Sequence, residues 1–115
     1  MEPVVYETIE SLNEYVEKVV KGSRVIADYL RQDQTQIALQ TILQFSDGMS
    51  WLVDASNLLK QHGIEIEFNI EQVHEFLNEI NHGLEIQDYV LVADMFEYEI
   101  APFFEKIPIV RGLEH

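Results

Sequence analysis

The sequence predicts an all-α fold, a small up-and-down four-helix bundle with two long antiparallel helices, a short third helix and a hydrophobic fourth. Two long stretches carry apolar residues at spacings that alternate between four and three, which keeps one face of an α-helix apolar. Only about two residues separate these stretches, so the two helices must be antiparallel neighbours. The length of 115 residues, 47% of them hydrophobic, is that of one ordinary globular domain.

The first predicted helix extends from about Val4 to Arg31. Its apolar stripe consists of Val5, Ile9, Leu12, Val16, Val19, Ser23, Ile26 and Leu30. The pair Gly22-Ser23 lies in the middle of the helix, where glycine costs about 1 kcal/mol. Because the apolar spacing continues through this pair without slipping, we expect one helix, bent at most, rather than two.

The second predicted helix begins after Asp33, which we expect to be the N-cap, with Gln36 completing a capping box. It ends at His62-Gly63, where glycine supplies the left-handed residue that closes a helix. Its apolar stripe consists of Ala38, Ile42, Phe45, Met49, Leu52, Ser56 and Leu59.

The third predicted helix has Asn69 as its N-cap and ends at His82-Gly83. It follows a short segment, Ile64 to Phe68, in which apolar and acidic residues alternate and which we expect to be extended. Residues 62–67 resemble residues 82–87. We interpret the two stretches as helix stops of the same kind, with a histidine in the last turn and a glycine after it.

The fourth predicted helix, Tyr89 to Ile100, is apolar on nearly every side. Such a helix is normally central in a fold or lies in an interface between subunits. Pro102 lacks a backbone donor and crowds the carbonyl of Tyr98, so we expect the helix to kink or end near it.

Four carboxylates, on Asp88, Asp94, Glu97 and Glu99, interrupt this apolar helix. A carboxylate on a buried helix is costly unless it is paired, and the first helix offers Lys18, Lys21, Arg24 and Arg31 as partners. A direct role in binding is the alternative interpretation. The candidate binding residues are therefore Asp94, Glu97 and Tyr98 on this helix, together with Trp51 and its adaptable neighbour Met49. Trp51 widens the second apolar stripe, so it either lies at the edge of the core or anchors a partner.

The net charge of −14 is distributed unevenly, because residues 1–61 contribute −4 and residues 62–115 contribute −10. Such a field repels phosphate backbones and anionic lipids, so nucleic-acid and membrane binding are disfavoured and a basic protein partner is favoured. The sequence has no cysteine, which excludes disulfides and thiolate zinc sites and fits a cytoplasmic protein. The N-terminus lacks the pattern of a signal peptide.

Motifs of catalysis and metal binding are absent from the sequence. There is no Gly-rich phosphate loop and no Gly-x-Ser-x-Gly motif. Two Glu-x-x-His pairs, Glu71 with His74 and Glu79 with His82, lie on the same predicted helix and therefore cannot face each other across a bundle as in di-iron proteins. We predict no enzymatic activity, no cofactor and no metal.

The leading functional hypothesis is a non-enzymatic protein-interaction module that occupies residues 1–112. In size, acidity and helicity the chain is similar to small bacterial adaptor or export-chaperone bundles, including flagellar ones, although no motif carries that similarity. The alternatives are a structural homodimer and a metal protein in which Asp94, Glu97 and either Glu14 or Glu17 are ligands. Residues 113–115 resemble the start of an expression tag.

Overall fold

The structure, a computed structural model, describes residues 2–67, 69–108 and 110. Within these residues all regular secondary structure is helical, which confirms the predicted all-α bundle. The long helices are α1 (Pro3–Arg31) and α2 (Thr35–Gln61), followed by α3 (Ile70–Glu85). The tag-like residues 113–115 lie outside the described residues.

The fourth helix changes its geometry twice. It consists of α4 (Tyr89–Asp94), a π-helical segment (Met95–Ile100) and α5 (Ala101–Glu105), which follow one another without a break. In the π turn, Ala101 N donates to Phe96 O, one residue further back than in an α-helix. The π-helical segment ends at Ile100, two residues before Pro102, and the helix continues through the proline and ends at Glu105, three residues after it.

The helix α1 is continuous through Gly22-Ser23, as predicted. The predicted apolar stripes of α1 and α2 form the core. Every residue of the two stripes is buried except Val16, which is partly buried. The fourth helix is antiparallel to α1, because Arg31 pairs with Asp94 and Arg24 pairs with Glu105. The molecule measures 48 × 21 × 21 Å, about the length of one long helix.

Three helix ends share one backbone motif, and this corrects two predictions. Asp33, Gly63 and Gln87 adopt left-handed conformations with φ of 60°, 78° and 57° after α1, α2 and α3. In each motif the next residue donates its N–H to a carbonyl five residues earlier, as Gln34 N does to Tyr29 O at 2.9 Å. Asp33 therefore closes α1 and is not the N-cap of α2, which is Gln34 without a side-chain bond.

The prediction that α3 ends at His82-Gly83 is wrong, because α3 continues to Glu85. Gly83 is buried where α3 meets α4, and a Cβ there would lie 2.7 Å from Val92 Cγ2. The glycine therefore permits close packing of two helices and does not end one. The predicted N-cap of α3 is confirmed, since Asn69 Oδ1 accepts from Glu71 N at 2.9 Å.

Two non-helical segments cover the face of α1 that the shorter helices do not reach. Ile64 and Ile66 are partly buried against the core. Phe68 lies outside the described residues. After α5 the chain continues in the same direction along α1, from the level of Arg24 to that of Asn13. Ile107 and Val110 pack against the same core.

Candidate functional site

Three of the predicted binding residues meet around one arginine. Arg31 Nη2 lies 2.9 Å from Asp94 Oδ1, and Arg31 Nε lies 3.3 Å from Glu97 Oε1. The guanidinium carbon lies 5.9 Å from the centre of the Tyr98 ring, within the range of a cation–π contact. One cation thus holds two carboxylates and an aromatic ring at the surface.

The cluster lies where the helix geometry changes. Arg31 is the last residue of α1 and Asp94 is the last residue of α4, whereas Glu97 and Tyr98 belong to the π-helical segment. Short π-helical turns inside α-helices occur frequently at functional sites, because they shift side chains out of the regular register. The π-helical segment of this protein carries two members of the cluster around Arg31.

The electrostatics of the cluster are those of an exposed network. The side chains of Arg31, Asp94 and Glu97 keep 35%, 49% and 32% of their accessible surface. Hydrogen bonding to Asp94 raises the pKa of Arg31, against the effect of desolvation. Hydrogen bonding to Glu97 and the charge of that carboxylate raise the pKa of the Tyr98 hydroxyl. Exposed ion pairs of this kind contribute at most about 1 kcal/mol to stability, so the cluster is free to exchange partners.

Exposed apolar groups extend the cluster along the fourth helix. Val90 precedes Asp94 by four residues and keeps 68% of its surface exposed, and Tyr98 follows by four residues and keeps 64%. Val90 and Asp94, four apart in α4, lie on one helix face. Tyr98 joins them through its contact with Arg31. We name this set, Val90, Asp94, Glu97 and Tyr98 with Arg31, the fourth-helix surface. Residues 28–33 and 88–99 around it contain six acidic residues and one basic residue.

The structure separates Trp51 and Met49 from this surface. Trp51 is 39% exposed and stacks edge-on against Tyr15, with ring centres 5.6 Å apart. Tyr15 is 16 residues before Arg31 on α1, which is about 24 Å along the helix. Met49 is 1% exposed and belongs to the core, so it is not available to a partner. The five predicted binding residues therefore do not form one site.

The described geometry gives no support to the carboxylate metal site. Asp94 and Glu97 face Arg31, and Asp88 caps α4 by accepting from Leu91 N at 3.0 Å. Within residues 2–67, 69–108 and 110, no three histidine, aspartate or glutamate side chains are grouped closely enough to hold a metal ion. Both Glu-x-x-His pairs lie on α3, as the sequence predicted.

A second feature, which sequence reasoning missed, lies at the other half of α1. Asn13 Nδ2 donates to Val110 O at 3.2 Å, and Val110 N donates to Asn13 Oδ1 at 2.9 Å. Beside this pair of hydrogen bonds a cavity of about 520 Å³ opens between α1, Ile66 and the chain after α5. No local pattern distinguishes Asn13 from any other polar residue at the edge of an amphipathic helix.

The comparisons with known proteins give a family without an assigned activity. Residues 7–109 match the family described as Domain of unknown function (DUF8042). The chain belongs to this family. No curated protein and no solved structure matches the chain. Among the helices of the described residues, none is both long and apolar enough to cross a membrane.

Proposed function

We propose that this member of the DUF8042 family is a non-enzymatic protein-interaction module that docks a basic helical segment of a partner on its fourth-helix surface. The observation that carries the proposal is the pair of exposed side chains Val90 and Tyr98, which lie on either side of Asp94 along the fourth helix. Among the described residues, Asp94 and Glu97 share Arg31 as their basic partner.

The chemistry of this surface matches a basic amphipathic helix. Tyrosine and aliphatic side chains supply most of the energy of an interface when a partner covers them. The surrounding carboxylates attract a basic segment and set its orientation. An incoming lysine or arginine pairs with Asp94 or Glu97 and stacks on the Tyr98 ring, in the manner of Arg31.

The same charge distribution favours a protein partner over nucleic acid or an anionic membrane. The acidic field repels phosphates at long range, whereas a basic protein segment is accelerated towards it. A cytoplasmic location forms part of this proposal, since the chain has no cysteine.

The test is capture from a lysate of the native source at about 150 mM salt, where long-range attraction is screened beyond roughly 8 Å. Three proteins are compared: the wild type, Val90→Lys and the matched control Val4→Lys. Val4 is also an exposed valine, at 48%, but lies 27 residues before Arg31 on α1, about 40 Å away.

The expected result is one stoichiometric partner that binds the wild type and Val4→Lys but not Val90→Lys. Cross-linking is expected to place a lysine-rich or arginine-rich helix of that partner beside Tyr98. Loss of the partner from both variants alike, or from neither, contradicts the proposed surface. Capture of the protein alone, with a dimer in light scattering, favours the structural homodimer instead.

A further inference from the structure

The chain after α5 is bound to α1 as a peptide ligand is bound to a groove. Asn13 gives both its donor and its acceptor to the backbone of Val110, 97 residues away. A side-chain amide that bonds the N–H and C=O of one residue copies the pairing of two β-strands. Such contacts recognise an extended backbone whatever its side chains are.

The surroundings of this clamp add a preference for aliphatic side chains. Leu12 and Val110 are buried, and Val16, Val20, Ile66 and Ile107 are partly buried. These residues line the cavity of about 520 Å³ together with five charged residues, Glu17, Lys21, Arg24, Glu67 and Glu105. The cavity remains open while Ile107, Pro108 and Val110 lie along its wall. This volume lies within the range of about 300–1,000 Å³ typical of ligand sites.

We propose that this groove on α1 is a binding site for an extended aliphatic peptide of a partner protein, and that Ile107, Pro108 and Val110 occupy part of it in the isolated chain. The observed contacts define the chemistry of the ligand: a residue whose backbone N–H and C=O pair with Asn13, next to branched aliphatic side chains such as those of Ile107 and Val110. The room left in the cavity allows a ligand to bury more surface than the chain's own segment does.

The replacement is energetically feasible because the contacts described for the segment are individually weak. Within residues 106–108 and 110, Val110 makes two neutral hydrogen bonds with Asn13, each contributing about 0.5–1.5 kcal/mol, and Ile107 and Val110 pack against the core. The tether acts as a local competitor at an effective concentration in the millimolar range. A free peptide of equal chemistry therefore binds the wild type weakly, and a variant with a weakened tether more tightly.

The experiment uses a fluorescent synthetic peptide with the sequence of residues 106–112 and the complete chain. Val110→Asp weakens occupancy by the chain's own segment, because it places a carboxylate among aliphatic groups. Titrations compare the wild type, Val110→Asp, and Val110→Asp combined with Asn13→Ala. The matched control combines Val110→Asp with Asn57→Ala, which changes an exposed asparagine of α2. A scrambled peptide controls for attraction between a basic peptide and an acidic protein.

Val110→Asp is expected to bind the peptide at least tenfold more tightly than the wild type does. Adding Asn13→Ala is expected to remove this gain and Asn57→Ala to retain it. Equal binding by the wild type and a folded Val110→Asp chain overturns the proposal, as does equal binding of the scrambled peptide.

A second measurement on the wild type decides the matter if Val110→Asp does not fold. Hydrogen exchange of the Val110 amide is followed while the peptide is added to several millimolar. Replacement of the segment breaks the bond to Asn13 Oδ1, so exchange is expected to accelerate; an unchanged rate overturns the proposal. Asn13 lies 18 residues from Arg31, about 27 Å along α1, so this result is independent of the fourth-helix surface.

Discussion

The long helices α1 and α2 remain regular α-helices throughout, whereas the fourth helix changes from α to π geometry at Met95 and back at Ala101. The long pair has one apolar stripe per helix, and each stripe meets the core along the whole length of the helix. The fourth helix is apolar on most sides and packs against both α1 and α3. Met95 and Phe96, two consecutive residues of its π-helical segment, are both buried in the core.

This difference explains why the polar cluster lies on the fourth helix. A regular heptad leaves its polar residues on the solvent face, where each one is hydrated independently. A helix that buries several faces has little solvent face left, so its polar residues and its remaining apolar ones share a narrow strip. Val90, Asp94 and Tyr98 occupy that strip.

The largest expected effect tests whether the fourth helix carries the core. Phe96 is fully buried and its ring stacks edge-on against Phe45, with centres 5.1 Å apart. We expect Phe96→Ala to lower the free energy of unfolding by about 3–5 kcal/mol, measured by urea titration. The neighbouring Tyr98→Ala is expected to change it by no more than about 0.5 kcal/mol. Similar losses in both variants would contradict the division into a buried and an exposed face.

An intermediate effect distinguishes two helical glycines. A Cβ on Gly83 meets Val92 Cγ2 at 2.7 Å, whereas a Cβ on Gly22 has nothing within 4 Å. We expect Gly83→Ala to destabilise the protein by about 1–3 kcal/mol through overpacking. Gly22→Ala is expected to stabilise it by up to about 1 kcal/mol through helix propensity. Thermal unfolding of both variants checks the pair, and a stabilising Gly83→Ala would mean that α3 and α4 separate easily.

The smallest effect concerns Tyr15, which packs over Gly48 between α1 and α2. Burial raises the pKa of the Tyr15 hydroxyl above its ordinary value of about 10. The Tyr15 hydroxyl therefore loses its proton at a lower pH in the unfolded chain than in the folded protein. The contribution of the protonated Tyr15 to stability is complete below pH 10 and falls as the pH rises above it. We expect Tyr15→Phe to weaken the loss of stability above pH 10, measured by chemical denaturation at several pH values. An identical alkaline loss in the variant would show that Tyr15 ionises as freely as in the unfolded chain.

The helix ends show how far local sequence rules extend. Gly63 ends α2 as predicted, because glycine accepts a positive φ without steric cost. The same dipeptide at His82-Gly83 is interior to α3, since packing against Val92 requires the missing side chain. Asp33 and Gln87 adopt the left-handed conformation instead. Which residue ends a helix depends on where the next helix must begin, and the local sequence does not specify that position.

The candidate site was predictable in part. The pairing of Asp94 and Glu97 with an α1 cation follows from the cost of carboxylates on an apolar helix, and the structure selects Arg31 among four possible cations. The separation of Trp51 from this cluster and the burial of Met49 depend on rotation and distance along the bundle. The contact between Asn13 and Val110 joins residues 97 positions apart, and nothing local indicates it.

The sequence by itself determined the number of helices, the extent of the two long ones, their antiparallel pairing and their core residues, because apolar spacing is a local property that survives in any packing. The tertiary structure alone decided the π turn before Pro102, the role of each glycine and the neighbours of each polar side chain. These depend on which helix faces which, where a shift of a single residue changes the partner. The fourth-helix surface and the groove on α1 both arise at this second level.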